Sequence, residues 1–299
     1  MKIFLPEPGE IAQIAQDLLR ESGHQLVYEV SEGQSHSIEV IFIRTYTVLS
    51  AKYLAQFPNL EVIIRAGTGL DNIDLAYCQT RGIKVISSPG ANAVSVAEHA
   101  LTSILILLKN YLKETDRVKL GAWRDRTLMG SELSGKTVGL IGCGAVGKKL
   151  ANFLLAFSVR LLGYDKYLDF NTLDLPIIKS SLQEVLSQSD VISIQIPLTT
   201  ETNNLIDTPE LALVKPASYL VNVSRGEVVN ESALIHALGN QKLKGAALDV
   251  VLNEPTPNPK LLALPNVIIT PHIAGFTDSA DLAISVVAAQ NFINYLKEK

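Results

Sequence analysis

Short apolar runs alternate with segments of helical periodicity from the first residues onward. Lys2–Leu5, Leu26–Val30, Val40–Ile43, Val62–Ile64 and Lys84–Ile86 read as strands, and Ile11–Arg20, Leu49–Gln56 and Leu75–Arg81 as the helices between them. Strand, helix, strand in this rhythm means crossover connections and a mostly parallel sheet. The rhythm returns further on, with strands at Val138–Ile141, Val191–Ile196, Tyr219–Val223, Gly245–Val250 and Val267–Ile269, and a further one ending at Asp165. Helices are expected near Ser181–Gln188, Pro209–Leu213 and Asn230–Leu238. These six strands match two mononucleotide-binding halves of a doubly wound sheet. The expected fold is therefore α/β, with two doubly wound parallel-sheet domains: residues 95–275 form a Rossmann-type domain inserted in a flavodoxin-like domain of residues 1–94 and 276–299. The links are Ser87–Asn92, carrying Pro89 and Gly90, and a second crossing near Pro271–Thr277, so that the helix Asp278–Leu296 returns to the first domain.

The stretch Thr137–Asp165 carries the strongest local signal. Gly142, Gly144 and Gly147 follow a strand at G-x-G-x-x-G spacing and open a helix bearing Val146, Leu150, Phe153, Leu154 and Phe157. The first glycine permits a tight turn, the second lets the backbone approach a pyrophosphate, and the third lets the helix lie close to the strand. Asp165 ends the next apolar run, where a carboxylate accepts from the ribose hydroxyls of an adenosine. The pattern predicts NAD as cofactor, since that carboxylate repels a 2′-phosphate.

Composition adds limits. Apolar residues make up 47% of 299 and charged residues 19%, ample for large cores. A net charge of −4 gives no general attraction to nucleic acid or an anionic membrane. Cys78 and Cys143 form no disulfide framework or zinc site, no metal ligand set stands out, and both thiols are expected to be reduced and inert. The chain shows no secretory signal pattern, and the apolar stretch Ala97–Leu108 is interrupted by Glu98, His99, Thr102 and Ser103 and is short for a bilayer. A cytoplasmic protein is expected, with that stretch as a buried or dimer-facing helix.

Ligands of doubly wound sheets sit at the carboxyl ends of the strands. Three such ends present Arg225, Glu254 and His272. A cation, a carboxylate and an imidazole suit reduction of a carbonyl beside a carboxylate. Arg225 would bind the carboxylate as a fork, His272 would donate the proton as hydride arrives, and Glu254 would orient the imidazole and favour its protonated form.

The strings Arg65-Ala66-Gly67-Thr68-Gly69-Leu70-Asp71-Asn72-Ile73-Asp74, Met129-Gly130-Ser131-Glu132-Leu133, Gly142–Gly147, Val221-Asn222-Val223-Ser224-Arg225-Gly226, Leu248-Asp249-Val250 and Pro271-His272-Ile273-Ala274-Gly275 resemble the D-isomer-specific 2-hydroxyacid dehydrogenase family. The resemblance covers nearly the whole chain and implies the same catalytic set. It implies that Asp249 holds the nicotinamide carboxamide and that Thr68 and the Val223–Arg225 backbone touch the cofactor. With the glycine turn, the expected cofactor contacts are Thr68, Gly142, Gly144, Ala145, Val146, Gly147, Asp165, Ile196, Pro197, Val223, Ser224, Arg225, Asp249, His272, Ala274 and Gly275. The resemblance further implies that the Ala66–Thr68 amides receive the substrate carboxylate and that the glycine-turn domain forms a homodimer, or a higher homo-oligomer, through Ala97–Leu108. Arg44 and Arg65, with Arg124 or Arg126 from a neighbouring subunit, offer a second anion site that suits D-3-phosphoglycerate. The substrate-binding set is then Arg44, Arg65, Ala66, Gly67, Thr68, Arg225 and His272. Val48 stands where the family's phosphate loop usually has lysine, which keeps hydroxypyruvate or glyoxylate reduction open. An NAD-sensing corepressor is the alternative of another class. Gln195 stands where a histidine is frequent, with little consequence expected because the backbone there faces the cofactor.

Overall fold

The computed structural model describes residues 1–31 and 33–299, which divide into two compact units, Met1–Asn92 with Phe276–Lys299 and Ala93–Gly275. In the first unit the strands are β1 (Lys2–Phe4), β2 (Gln25–Val27), β3 (Val40–Ile43), β4 (Val62–Arg65) and β5 (Lys84–Ser87), all parallel, in the order β2-β1-β3-β4-β5. Alternation along each strand builds two cores. Ile3, Val40, Phe42, Val62 and Ile64 face one side with Leu19 and the closing-helix residues Ile284, Ala288 and Phe292. Phe4, Ile41, Ile43 and Ile63 face the other with Leu54, Phe57 and Cys78. The closing helix Asp278–Glu298 therefore belongs to this unit because it covers one face of its sheet.

The second unit has seven parallel strands among the described residues: β6 (Thr137–Ile141), β7 (Arg160–Tyr164), β8 (Ile177–Lys179), β9 (Val191–Ile194), β10 (Ser218–Asn222), β11 (Leu243–Leu248) and β12 (Val267–Ile269). Their order is β12-β11-β10-β9-β6-β7-β8. Six strands are expected from the sequence. The seventh, β8, is an edge strand of three residues with only Ile177 turned inward, too short to show a period. Both faces are covered. Val138 and Leu140 meet Ala100, Ile104, Leu150 and Leu154 on one side, and Ile141, Ile192 and Leu220 meet Val185, Leu211 and Leu234 on the other.

The helix at the start of this unit runs from Ala93 to Lys109, so it begins two residues before the expected division at 94/95. Its buried stripe, Ala97, Ala100, Ile104, Leu107 and Leu108, lies in the core of its own unit. A second helix, Tyr111–Lys119, follows after Asn110; its polar sequence hides it from a periodicity reading. Among the described residues no single helix is long and apolar enough to cross a membrane; the two just named pass only when taken together, bent by 60°.

The order of the second sheet reverses between β6 and β9, which pair in parallel from Val138↔Val191 to Ile141↔Ile194. Their carboxyl ends open the crevice where such sheets take ligands.

Candidate active site

At the end of β6 the chain turns through Gly142, whose φ is +95°; a Cβ there would lie 2.7 Å from Ile196 Cγ2 and 2.8 Å from the Gln195 carbonyl. Gly147 sits against the same turn, where a Cβ would come 2.3 Å from the Gly142 carbonyl. Gly144 is different: nothing lies within 4 Å of a Cβ built on it, and it caps the helix Ala145–Leu155 without a side-chain hydrogen bond. Two glycines thus tighten the turn, and the third leaves an open approach to the amides at the helix N-terminus, where the dipole also favours phosphate. The residues present fit a dinucleotide.

Gln195 contributes through its side chain, contrary to expectation. Its Nε2 donates to the Gly142 carbonyl at 2.7 Å and its Oε1 accepts from Ser193 Oγ at 2.8 Å, so it bolts the glycine turn to the loop after β9. That strand ends at Ile194, two residues earlier than expected, and Gln195–Pro197 leave the sheet. Asp165, just beyond β7, accepts from the Cys143 amide at 2.9 Å and from the Tyr167 and Leu168 amides at 3.0 and 3.1 Å. Its carboxylate is thereby anchored beside the turn. Burial, with the Asp165 charge in addition, pushes the Cys143 thiol up to about 12, so this cysteine is no nucleophile at neutral pH.

The catalytic candidates lie on loops after β10, β11 and β12. His272 Nδ1 stands 2.8 Å from Glu254 Oε2, and the Val251 amide donates to Glu254 Oε1 at 3.1 Å. The imidazole and carboxylate side chains remain 46% and 36% exposed, open enough for a substrate to reach them. Burial pushes the Glu254 carboxyl up, but the His272 hydrogen bond and charge, the Val251 amide and the Arg225 charge outweigh it and hold the group below the usual carboxylate range. It is an anion at neutral pH. His272 occupies the left-handed region at φ +55°, and its amide donates to the Asp249 and Thr270 carbonyls at 2.9 Å each.

Asp249, the residue that the resemblance links to the nicotinamide carboxamide, is tied to the turn that follows β12. Its side chain is 1% exposed; Oδ1 accepts from Thr270 Oγ1 at 2.6 Å and from the Ile273 amide at 2.9 Å, and Oδ2 accepts from the Ala274 amide at 2.8 Å. His99 Nε2, on the helix Ala93–Lys109, lies 3.2 Å from Thr270 Oγ1. The carboxylate clamps the turn that carries His272. Next to it, Asn222 Oδ1 accepts from the Ser224 amide and hydroxyl at 3.0 and 2.8 Å, and Asn222 Nδ2 donates to the Arg225 carbonyl at 2.9 Å. Arg225 Nη1 donates to the Ser224 carbonyl at 2.7 Å. Gly226 lets this loop lie on the next one, since a Cβ there would be 2.2 Å from the Val251 carbonyl carbon. Asn222, Thr270 and His99 organise these loops and are not apparent as site residues from the sequence, although Asn222 lies in the stretch Val221–Gly226 that carries the family resemblance.

The residues of the expected anion site have these surroundings in the first unit. Arg44, expected to grip phosphate, has a side chain only 9% exposed. Its guanidinium pairs with Asp281 on the closing helix, donates to the Glu10 carbonyl at 3.1 Å and lies 3.7 Å from the Glu10 carboxylate. The Ala66 amide donates to the Ile43 carbonyl at 2.9 Å and the Gly67 amide to Ser88 Oγ at 2.8 Å. Of the three amides expected to receive a carboxylate, only that of Thr68 has no partner among the described residues. Arg65 Nη1 donates to the Ala66 carbonyl and lies across Gly67, whose φ of +142° and missing Cβ make room for it.

Residues 101–274 match the family model described as D-isomer specific 2-hydroxyacid dehydrogenase, NAD binding domain. The D-3-phosphoglycerate dehydrogenase of Archaeoglobus fulgidus is 36% identical over 99% of this chain, which spans only 58% of that relative's length. The hydroxypyruvate reductase of Thermotoga maritima is 36% identical over 87% of this chain and 85% of its own. Among solved structures, D-lactate dehydrogenase from Aquifex aeolicus complexed with NAD and lactic acid superposes with a TM-score of 0.86 at 33% identity, covering 100% of this chain and 96% of that one.

Proposed function

Because the chain belongs to the D-isomer-specific 2-hydroxyacid dehydrogenases, with an NAD-binding domain of that family, we propose that it interconverts a D-2-hydroxy acid and its 2-oxo acid. NAD, when bound, accepts or delivers the hydride. The observation that carries the reading is the 2.8 Å pair of His272 Nδ1 and Glu254 Oε2. A carboxylate held anionic accepts the Nδ1 hydrogen, which leaves Nε2 to take the hydroxyl proton during oxidation or to return it during reduction. Arg225, on the neighbouring loop, binds the substrate carboxylate and polarises the carbonyl as charge develops. The Asp249 and Asn222 clamps keep both groups still, so orientation is set before the substrate arrives.

For the substrate, D-3-phosphoglycerate is our reading, supported by the relative that aligns with 99% of the chain. One observation favours a second reading, hydroxypyruvate or glyoxylate: the Arg44 guanidinium is already paired with Asp281. The two separate in an assay of NADH oxidation over 3-phosphohydroxypyruvate, hydroxypyruvate and glyoxylate. A higher kcat/KM for the phosphorylated acid supports phosphoglycerate, no preference assigns the second reading, and no turnover of any 2-oxo acid sinks the enzyme reading.

A homodimer belongs to the same proposal, and the segment that follows the helix Ala93–Lys109 adds to the surface expected for it. Tyr111, Leu120, Trp123 and Met129 are large apolar residues left exposed along one segment. Exposed apolar side chains of this size suit an interaction site, and a second copy is the occupant that the family resemblance implies.

A further inference from the structure

Lys166 immediately follows the Asp165 carboxylate that is anchored to the glycine turn. A cation at that spot is what a 2′-phosphate would seek, since basic residues beside the acidic position accommodate NADP. The structure gives Lys166 another partner. Its Nζ lies 2.7 Å from Glu201 Oε2, and the Tyr167 hydroxyl donates to the same oxygen at 2.8 Å. Lys166 Nζ also sits 5.6 Å from the centre of the Tyr167 ring. Glu201 is delivered by the loop after β9, which is knit together by its own bonds: Thr202 Oγ1 donates to the Pro197 carbonyl at 2.7 Å and accepts from the Thr199 amide at 2.7 Å. The hydrogen bond and attraction between them hold Lys166 above and Glu201 below their ordinary ranges, so both are charged at neutral pH.

We infer that Glu201 is a cofactor-specificity residue: it captures Lys166 and, with Asp165, keeps the adenosine end of the site unfavourable for a 2′-phosphate. Asp165 alone would stand next to an uncommitted cation. With Glu201 in place the cation is neutralised and a second negative charge is added nearby. The inference rests on the dinucleotide reading of the glycine turn but not on any substrate assignment.

The test is direct titration of the purified protein with NADH and with NADPH, following nucleotide fluorescence without substrate. Glu201→Gln should tighten NADPH about three- to ten-fold, the range expected for releasing an exposed ion pair and removing one nearby like charge, with most of the change in NADPH. Adding Lys166→Ala to that variant should abolish the gain, and high salt should shrink it. A Glu201→Gln protein whose affinities for both nucleotides change equally, or whose NADPH affinity is unchanged, overturns the inference. A wild-type protein that binds neither nucleotide overturns the dinucleotide reading and this inference with it.

Discussion

Two strand ends that look alike in sequence behave in opposite ways. After β3 in the first unit stands Arg44, and after β10 in the second stands Arg225, each an arginine where a parallel strand gives way to a loop. Arg44 is drawn inward by Asp281 and Glu10, and the loop after it is held by Glu7, whose carboxylate accepts from the Arg44 and Thr45 amides at 3.1 and 2.9 Å and from the Thr47 amide. In the second unit, Glu254 and His272 pair with each other and stay half-exposed. The two regions thus differ in how open their charged groups are: the Arg44 guanidinium is almost wholly covered, while the His272 and Glu254 side chains remain within reach of a ligand.

The sharpest test lies in the second unit. His272→Ala should lower kcat by about 100-fold or more, the lower end of what a positioned proton donor contributes, with the fold retained by circular dichroism. An active His272→Ala enzyme removes the dyad from the mechanism. Glu254→Gln should cost less, and its signature is in the pH profile. With the anion gone the protonated imidazole is less favoured, so the alkaline limb of kcat/KM for reduction and the acid limb for oxidation should both move to lower pH. Unmoved limbs would make Glu254 structural.

In the first unit, Arg44→Ala should act on stability. Loss of its charge-assisted bonds, discounted because Asp281 is 38% exposed, should cost about 1–3 kcal/mol, read as a lower Tm, and should reduce turnover of phosphorylated and unphosphorylated 2-oxo acids alike. A loss confined to the phosphorylated acid would return Arg44 to the substrate site and erase the contrast between the two arginines.

The smallest effect concerns Glu7. Burial pushes its carboxyl up, but the Thr47 side chain and the Thr45, Thr47 and Arg44 amides outweigh this and hold it below the usual range. A lowered carboxyl stabilises the fold fully above the unfolded value of about 4.3, and that contribution is lost as pH falls through the folded value. Glu7→Gln should therefore lower Tm at neutral pH and lessen its decline on acidification. A decline as steep as in the wild type would mean that Glu7 does not hold the loop.

By itself the sequence determined what depends on near neighbours along the chain. The short, wholly apolar runs Val40–Ile43 and Val62–Ile64 marked buried parallel strands, because a strand covered on both faces needs apolar side chains at every position. The spacing of Gly142, Gly144 and Gly147 marked the phosphate turn, because a backbone that bends sharply and lies close to its own helix excludes Cβ atoms at fixed intervals. Strand ends carrying Arg225, Glu254 and His272 were legible for the same local reason. The edge strand β8 was not, since three residues with one inward side chain show no period. Nor were the roles of Arg44, Asp249 and Gln195. Arg44 is paired 237 positions away with Asp281, Asp249 accepts three hydrogen bonds from the turn at 270–274, and Gln195 reaches back to Gly142. Only the tertiary structure decided these partnerships, because a charged or polar group takes the partner that folding brings within hydrogen-bond distance, and that partner need not be near it along the chain.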